Sequence, residues 1–202
     1  MEAVTASVGC EPRDGAFIAR SRTDVDAFSP IFDRHYAAVH RYLARRIGKG
    51  RADDLASQTF VVAFERRAAF DQATGSARPW LFGIATNLMR NEVRAEQRLL
   101  GALARLDVAA AGDLADEAER ALSRADAASE VARIAGALAA LDDDQRDVLL
   151  LHAWGDMTYE EIARALTIPV GTVRSRLARA RSALQPALAD HALGSRSTKE
   201  KH

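Results

Sequence analysis

The segment from Thr158 to Leu184, TYEEIARALTIPVGTVRSRLARARSAL, restricts the fold more than any other part of the 202-residue chain. Thr158 and Glu161 have the three-residue spacing of a capping box, in which each residue satisfies a free backbone N–H at the start of a helix. Pro169 disfavours helix at the residue before it and suits the first turn of a new helix. The segment therefore predicts a short helix, a tight turn and a longer second helix.

The second predicted helix has two chemically different faces when its residues are spaced at about 100°. Its apolar face consists of Val173, Leu177, Ala180 and Leu184. The opposite face carries Ser175, Arg179 and Ser182, and its flanks carry Arg174, Arg176 and Arg181. No acidic residue lies between Val170 and Leu184. An apolar back with a polar, basic front is what a helix needs to enter the DNA major groove. The alternative is a solvated charged helix in an all-α protein.

Composition places the chain among globular proteins with one or two domains. Apolar residues make up 48% of it, which is enough for packed cores. Cys10 is the single cysteine, so a disulfide or a cysteine zinc site within the chain is excluded, as expected in a reducing cytoplasm. The sequence contains no run of about 18 apolar residues, so no membrane span is predicted. The N-terminus does not resemble a secretory signal.

The net charge is zero, with 28 basic and 28 acidic residues, which by itself argues weakly against a nucleic-acid binder. The charges are nevertheless segregated along the chain. Acidic residues dominate 99–130, whereas basic residues outnumber acidic ones in 24–98 and form one face of the helix after Pro169. This distribution is compatible with binding to DNA.

Hydrophobic spacing of three and four residues recurs along the chain and strand-like alternation does not, so the sequence predicts an all-α fold. We expect two small helical domains joined by a flexible linker, the C-terminal one containing the helix-turn-helix. The predicted division is a flexible N-terminal lead (1–23), a first domain (24–98), an acidic alanine-rich linker (99–130), a second domain (131–185) and a C-terminal tail (186–202).

Several segments resemble the extracytoplasmic-function (ECF) class of bacterial RNA polymerase sigma factors. They are Asp53-Asp54-Leu55 through Thr59-Phe60, Trp80–Asn87, Leu141–Leu151, Thr158–Ala163 and Pro169–Arg176. The first two resemble the polymerase-binding and promoter-reading parts of region two, and the others resemble region four. The linker is too short for the additional helical domain of housekeeping sigma factors. The resemblance covers about 24–98 and 131–185.

The resemblance and the helical geometry together assign DNA-binding residues. The helix after Pro169 is expected to read the minus-35 element, through Thr172, Arg174, Ser175, Arg176, Arg179 and Arg181. By resemblance, the loop 70–79 and the next helix capture a base flipped out of the minus-ten element, which suits a small-residue loop beside an aromatic ring and an amide. The residues expected there are Phe70, Arg78, Asn87, Arg90 and Arg94. Phe70 as a core residue and Asn87 as a solvated residue are the alternatives.

The resemblance also implies partners. Core RNA polymerase is expected to bind one face of the second helix of region two, through Asp53, Asp54, Gln58 and Glu65. A solvated helix face explains the same four residues without a partner. Promoter DNA and an anti-sigma factor are the other implied partners, in the cytoplasm and without membrane insertion.

The sequence departs from the usual family pattern at two places. Ser57-Gln58 stands where Gln-Glu is common, which removes a carboxylate from the polymerase-binding face. Thr167 stands where the turn often has glycine, and a β-branched residue at positive φ is unfavourable, so a slightly reshaped turn is expected.

Enzymatic function is not predicted, because no phosphate-binding loop, metalloprotease motif or nucleophile with its base is found. Catalytic residues, cofactors and metal ligands are therefore expected to be absent. Asp142, Asp143 and Asp144 are interpreted as capping a helix, where acidic residues suit the helix dipole. The alternative function is a stand-alone helix-turn-helix regulator whose N-terminal half is a sensor domain.

Overall fold

The computed structural model describes residues 13–72, 75–106 and 126–197, and regular structure within these ranges is entirely helical. The helices are α1 (Asp14–Arg20), α2 (Ser29–Ile47), α3 (Lys49–Glu65), α4 (Arg78–Leu106), α5 (Asp126–Ala140), α6 (Asp143–Ala153), α7 (Tyr159–Leu166) and α8 (Val170–Ser197). Short 3₁₀ turns span Val25–Phe28 and Arg67–Ala69. The predicted all-α fold is confirmed. The chain forms two compact units, Met1–Ala85 and Thr86–His202.

The first unit is built around the α2–α3 pair. Pro30 lies in the first turn of α2, where its fixed φ favours helix and its missing N–H costs no hydrogen bond. Gly48 ends α2 at φ 83° and immediately precedes α3. Asp53 therefore lies inside α3 and does not cap it.

Small residues allow α2 and α3 to pack closely. Ala52, Ala56 and Ala63 of α3 are fully buried, and larger side chains fill the space around them. The large buried residues of this core are Ile31, Val39, Tyr42, Leu43, Leu55, Phe60, Leu81 and Phe82.

The prediction that residues 1–23 form a flexible lead is wrong for the described part of that range. Residues Asp14–Arg20 form α1, and Ile18 is fully buried. Asp14 is also buried, and its carboxylate bonds to groups far along the chain. A seven-residue helix with one large core residue has too little periodicity to be recognised in the sequence.

Side chains and a glycine determine the helix ends of the second unit. The Asp142 carboxylate accepts a hydrogen bond from the Gln145 N–H at 2.7 Å, which caps α6 and agrees with the predicted role of this acidic cluster. Arg146 donates to the carbonyl oxygens of Leu138, Ala139 and Leu141 and so satisfies the end of α5. Gly155 follows α6, where a Cβ would lie only 2.5 Å from a backbone oxygen.

The core of the second unit draws on α6, α7, α8 and the turns between them. Its most deeply buried side chains are Val148, Leu151, Met157, Ile162, Val173 and Leu177. Fully burying an aliphatic side chain of this size contributes about 1.5–3 kcal/mol, so this packing holds the helix-turn-helix in place.

The ends of the predicted linker and tail differ from expectation. Helix α4 continues to Leu106 and α5 starts at Asp126, so both ends of the expected linker are helical; residues 107–125 lie outside the described residues. Helix α8 continues through Pro186 to Ser197. The expected tail therefore begins as helix, although a proline removes one backbone hydrogen bond and bends a helix.

Candidate nucleic-acid interface

The capping box predicted at the start of α7 is present. The Glu161 N–H donates to Thr158 Oγ1 at 3.2 Å, and the Thr158 N–H donates to Glu161 Oε2 at 2.9 Å. Two backbone donors that the helix itself cannot satisfy are thereby paired. The box determines where α7 begins.

The turn between α7 and α8 contains a residue in the left-handed conformation, and that residue is a threonine where glycine is usual. Thr167 adopts φ 55° and ψ 46°, and the Ile168 N–H donates to the Ala163 carbonyl at 3.0 Å, as in a Schellman motif. The Pro169 carbonyl then accepts from the N–H groups of Thr172 and Val173 at 2.9 and 3.2 Å. The threonine thus occupies the strained conformation that glycine would adopt freely.

Helix α8 buries one side and exposes the other. Val173, Leu177, Ala180 and Leu184 are buried, whereas Arg174, Ser175, Arg179 and Arg181 are exposed. Thr172 and Arg176 are partly buried at the edge of the exposed face, and the Ser175 hydroxyl donates to the Thr172 carbonyl at 3.0 Å. The front of α8 is a basic surface that a DNA groove can reach.

Two of the predicted DNA-binding arginines are engaged with carboxylates inside the second unit. Arg176 Nη2 donates to Asp144 Oδ2 at 2.5 Å, and Arg90 Nη2 donates to Asp144 Oδ1 at 2.8 Å. Arg90 Nε also bonds to the fully buried carboxylate of Asp147. Burial alone would lower the pKa of Arg90, but Asp147 and Asp144 outweigh it and raise that pKa. These two arginines are less available to DNA than the exposed ones.

The remaining predicted minus-ten residues lie around the start and exposed side of α4. Phe70 is buried, with its ring centroid 5.0 Å from that of Trp80, which agrees with the alternative that it is a core residue. Asn87 is exposed, directly after the buried Thr86. The Arg78 guanidinium lies 5.6 Å from the Phe82 ring centroid, and Arg94 is exposed with Asp143 at 4.0 Å.

The exposed side of α3 carries all four residues predicted to bind polymerase. Asp53, Asp54, Gln58 and Glu65 are exposed. Asp53 Oδ1 lies 2.8 Å from His40 Nε2, which ties the start of this surface to α2. The net result is an acidic surface on a helix whose other side is packed.

One polar centre in the first unit was not predicted from the sequence. Asp14 of α1 accepts hydrogen bonds from His35 Nε2 and the Ala77 N–H, both at 2.8 Å and both on Oδ2, while Arg34 Nη1 lies 3.3 Å from Oδ1. An acid in an aperiodic segment has no distinguishing pattern, so only the folded chain reveals it.

No group of three or more histidine, cysteine or acidic side chains among the described residues is arranged to hold a metal ion. None of the helices in the described ranges combines the length and the apolar character that crossing a membrane requires.

A helix-turn-helix with a basic exposed face, preceded by a further helical unit, is an arrangement typical of DNA-binding proteins. Residues 31–99 match sigma-70 region 2, and residues 132–184 match sigma-70 region 4. The chain belongs to the sigma-70 family, in its ECF class, and is a sigma factor that binds core RNA polymerase and directs promoter-specific transcription initiation.

Curated relatives align over most of their length. RNA polymerase sigma factor CnrH of Cupriavidus metallidurans is 34% identical over 167 residues, which cover 80% of this chain and 86% of the relative. ECF RNA polymerase sigma factor SigW of Bacillus subtilis is 28% identical over 178 residues, covering 83% and 91%. A solved structure of CnrH in complex with the cytosolic domain of CnrY has a TM-score of 0.60 and 29% identity, covering 88% of this chain and 97% of that one. Sigma factors are non-enzymatic initiation factors.

Proposed function

We propose that three exposed surfaces divide the work of this sigma factor: the front of α8 reads the minus-35 element, the start of α4 with the preceding loop holds a minus-ten base, and the acidic side of α3 binds core polymerase. The observation that carries the proposal is the basic front of α8, where Arg179 and Ser175 face away from a buried apolar stripe and Arg174 and Arg181 flank them.

On α8 the direction of each side chain separates base reading from positioning. Arg179 and Ser175 lie at the centre of the exposed face and meet base edges, where arginine pairs with the O6 and N7 atoms of guanine. Arg174 and Arg181 lie on the flanks and meet phosphates, which position the protein without specifying sequence. Thr172 lies nearer the groove, close to the start of the helix. Arg176 contacts a phosphate after its hydrogen bond to Asp144 is broken.

At the minus-ten element Asn87 supplies the hydrogen-bonding amide for an extruded base. Arg78 and Arg94 lie on the same helix and follow the phosphates of the single strand. Arg90 joins them after releasing its carboxylate partners. Phe70 supports the loop from the core by packing on Trp80, so the base is gripped by polar groups without that ring.

The acidic side of α3 binds the coiled-coil clamp of the large polymerase subunit. Asp53, Asp54 and Glu65 give this side its charge, and Gln58 adds a neutral hydrogen-bonding group between them. Complementary charge steers association and determines the register of the two helices. His40 holds Asp53 in place through their 2.8 Å contact.

The protein acts in the cytoplasm, where core polymerase and DNA are found, and has no catalytic activity of its own. An anti-sigma factor regulates it, by analogy with the complex of the relative CnrH with the cytosolic domain of CnrY. Such a partner would compete with core polymerase or DNA for the surfaces above.

Run-off transcription with core RNA polymerase and genomic promoter fragments tests the proposal. Addition of the protein is expected to produce discrete transcripts that core enzyme alone does not make. A mobility-shift assay separates the alternative of a stand-alone regulator, which would bind promoter DNA tightly without core. Failure to stimulate any start site would contradict the proposal.

A further inference from the structure

Helix α1 lies across both ends of the loop that precedes α4. On the side before the loop, Arg22 Nη2 donates to the Ala68 carbonyl at 2.8 Å and Arg67 Nε donates to the Ser21 carbonyl at 3.1 Å. On the side after the loop, the Ala77 N–H donates to Asp14 at 2.8 Å. Bonds from the start of α1 and from the two residues that follow its end thus hold the two stems of one loop.

The start of α1 also packs directly on the loop. A Cβ added to Gly15 would lie 3.2 Å from the carbonyl oxygen of Gln72, closer than an ordinary contact. Glycine at this position lets the helix backbone approach the loop backbone. The loop is therefore held at both stems and is approached closely at Gln72.

The Asp14 carboxylate is itself held in one orientation. Its side chain is only 9% exposed, and His35 Nε2 and Arg34 Nη1 approach its two oxygens from α2. Because an ionised carboxylate only accepts hydrogen bonds, His35 carries its proton on Nε2. The oxygen that accepts from Ala77 consequently has little freedom to move.

We propose that α1 is a clamp that orders the loop before promoter opening, and that Asp14 is its main positioning residue. The inference rests on the proposed function of the loop and Asn87 in holding an extruded base. Fixing the stems of the loop while a base is captured costs conformational entropy, and stems that are held in advance avoid this cost at the moment of capture. The clamp therefore accelerates opening without contacting DNA.

The test is Asp14→Ala in the full-length protein bound to its core polymerase, on a promoter found by run-off transcription. Opening of duplex promoter is expected to slow about tenfold, which corresponds to a modest change in activation free energy. Core affinity, and opening on a promoter with a pre-melted minus-ten bubble, should stay within about twofold of wild type. Arg20→Ala is the matched control, since Arg20 lies on α1 but pairs only with the exposed Asp24 among the contacts described for it.

Gly15→Ala is a second variant that keeps every hydrogen bond of Asp14. It should push Gln72 by a few tenths of an ångström and slow duplex opening about threefold, again without affecting core affinity. Gly50→Ala in α3, where nothing lies within 4 Å of the added Cβ, is its control. If Asp14→Ala does not fold, Gly15→Ala decides the question.

Amide hydrogen exchange of residues 75–80 gives a readout that does not depend on transcription. Loss of the bond from the Ala77 N–H should increase exchange there in Asp14→Ala and leave Arg20→Ala unchanged. Equal loss on duplex and pre-melted templates, or lost core affinity, would overturn the clamp. If Asn87→Ala slows opening and both α1 variants do not, the clamp is wrong and the loop function stands. If none of the three slows opening, the loop function fails as well.

Discussion

The helix-turn-helix and the loop before α4 are held in place by hydrogen bonds of very different range. In the helix-turn-helix, Thr158 bonds with Glu161 and Ile168 bonds with Ala163. At the loop, the bonds from Asp14 and Arg22 span 63 and 46 residues along the chain. The capped start and the turn of the helix-turn-helix are therefore determined by residues close in the sequence, whereas the geometry of the loop depends on a distant segment.

This difference in range has a functional meaning. A turn that is determined locally does not depend on distant hydrogen bonds, which suits sequence reading. A loop that depends on α1 can be loosened without a change in the loop itself. Variants in the helix-turn-helix should therefore alter binding, and variants around the loop should alter the rate of opening.

The largest expected effect is that of Arg179→Ala. Loss of a bidentate contact to a base should cost about 1–3 kcal/mol at the cognate minus-35 element and relax preference at one base position. Binding of the holoenzyme to a set of single-base promoter variants measures both quantities.

Arg174→Ala and Arg181→Ala are the comparison for Arg179→Ala, because they lie on the flanks of the same helix. Each should weaken all promoter sequences alike and reduce the slope of log affinity against log salt by about one. If Arg174→Ala changes base preference and Arg179→Ala does not, the assignment of centre and flank on α8 is reversed.

A smaller effect is expected for Asn87→Ala at the other surface. An extruded base that loses hydrogen bonds leaves part of its unstacking energy uncompensated, so opening of duplex promoter should slow about tenfold. Permanganate footprinting of opened thymines measures the rate, and a titration with core polymerase checks binding. Equal loss on a pre-melted template would indicate a backbone contact, and lost core binding would indicate a structural role.

The features that could be predicted from the sequence are those determined by residues close to one another along the chain. The capping box, the buried stripe of α8 and the helix pair of the first unit follow from spacings of three and four residues. Helix α1 was missed because it is short, has one large core residue, and has its side-chain partners 20 or more residues away along the chain. The direction of the Phe70 ring was equally hidden, since an aromatic residue beside a loop faces the core or the solvent according to tertiary packing.

Thr158→Ala should destabilise the helix-turn-helix by about 1 kcal/mol, because an N-cap of α7 is lost. Chemical denaturation measures the loss, and hydrogen exchange of the first turn of α7 shows where it occurs. Exchange at residues 75–80 should not change, since the cap bonds only within its own turn. A change at that loop would contradict the idea that the helix-turn-helix is locally determined.

Thr167→Gly should have a smaller effect of the opposite sign. Glycine relieves the left-handed strain at φ 55°, but it also increases the entropy of the unfolded chain, which leaves a net gain of about 0.5 kcal/mol. Thermal unfolding measures the gain, with promoter affinity expected to stay unchanged. A loss of stability would mean that the threonine side chain makes a favourable contact that outweighs the strain.

The last prediction concerns the loop side of the comparison. It is that the contribution of Asp14 to the stability of the protein depends on pH in the acid range. Burial alone would raise the pKa of its carboxyl, but hydrogen bonds from His35 and the Ala77 N–H, with the charges of His35 and a bond from Arg34, lower it below its ordinary value of 3.8. A carboxyl with a lowered pKa in the folded state stabilises the protein above its unfolded pKa and loses that contribution as the pH falls through the folded value. The stability difference between wild type and Asp14→Asn should therefore be the same at pH 7 and pH 5 and shrink at pH values below about 3.8. Urea denaturation at these pH values measures it, and a difference that persists unchanged in acid would mean that the ionised carboxylate does not hold the loop.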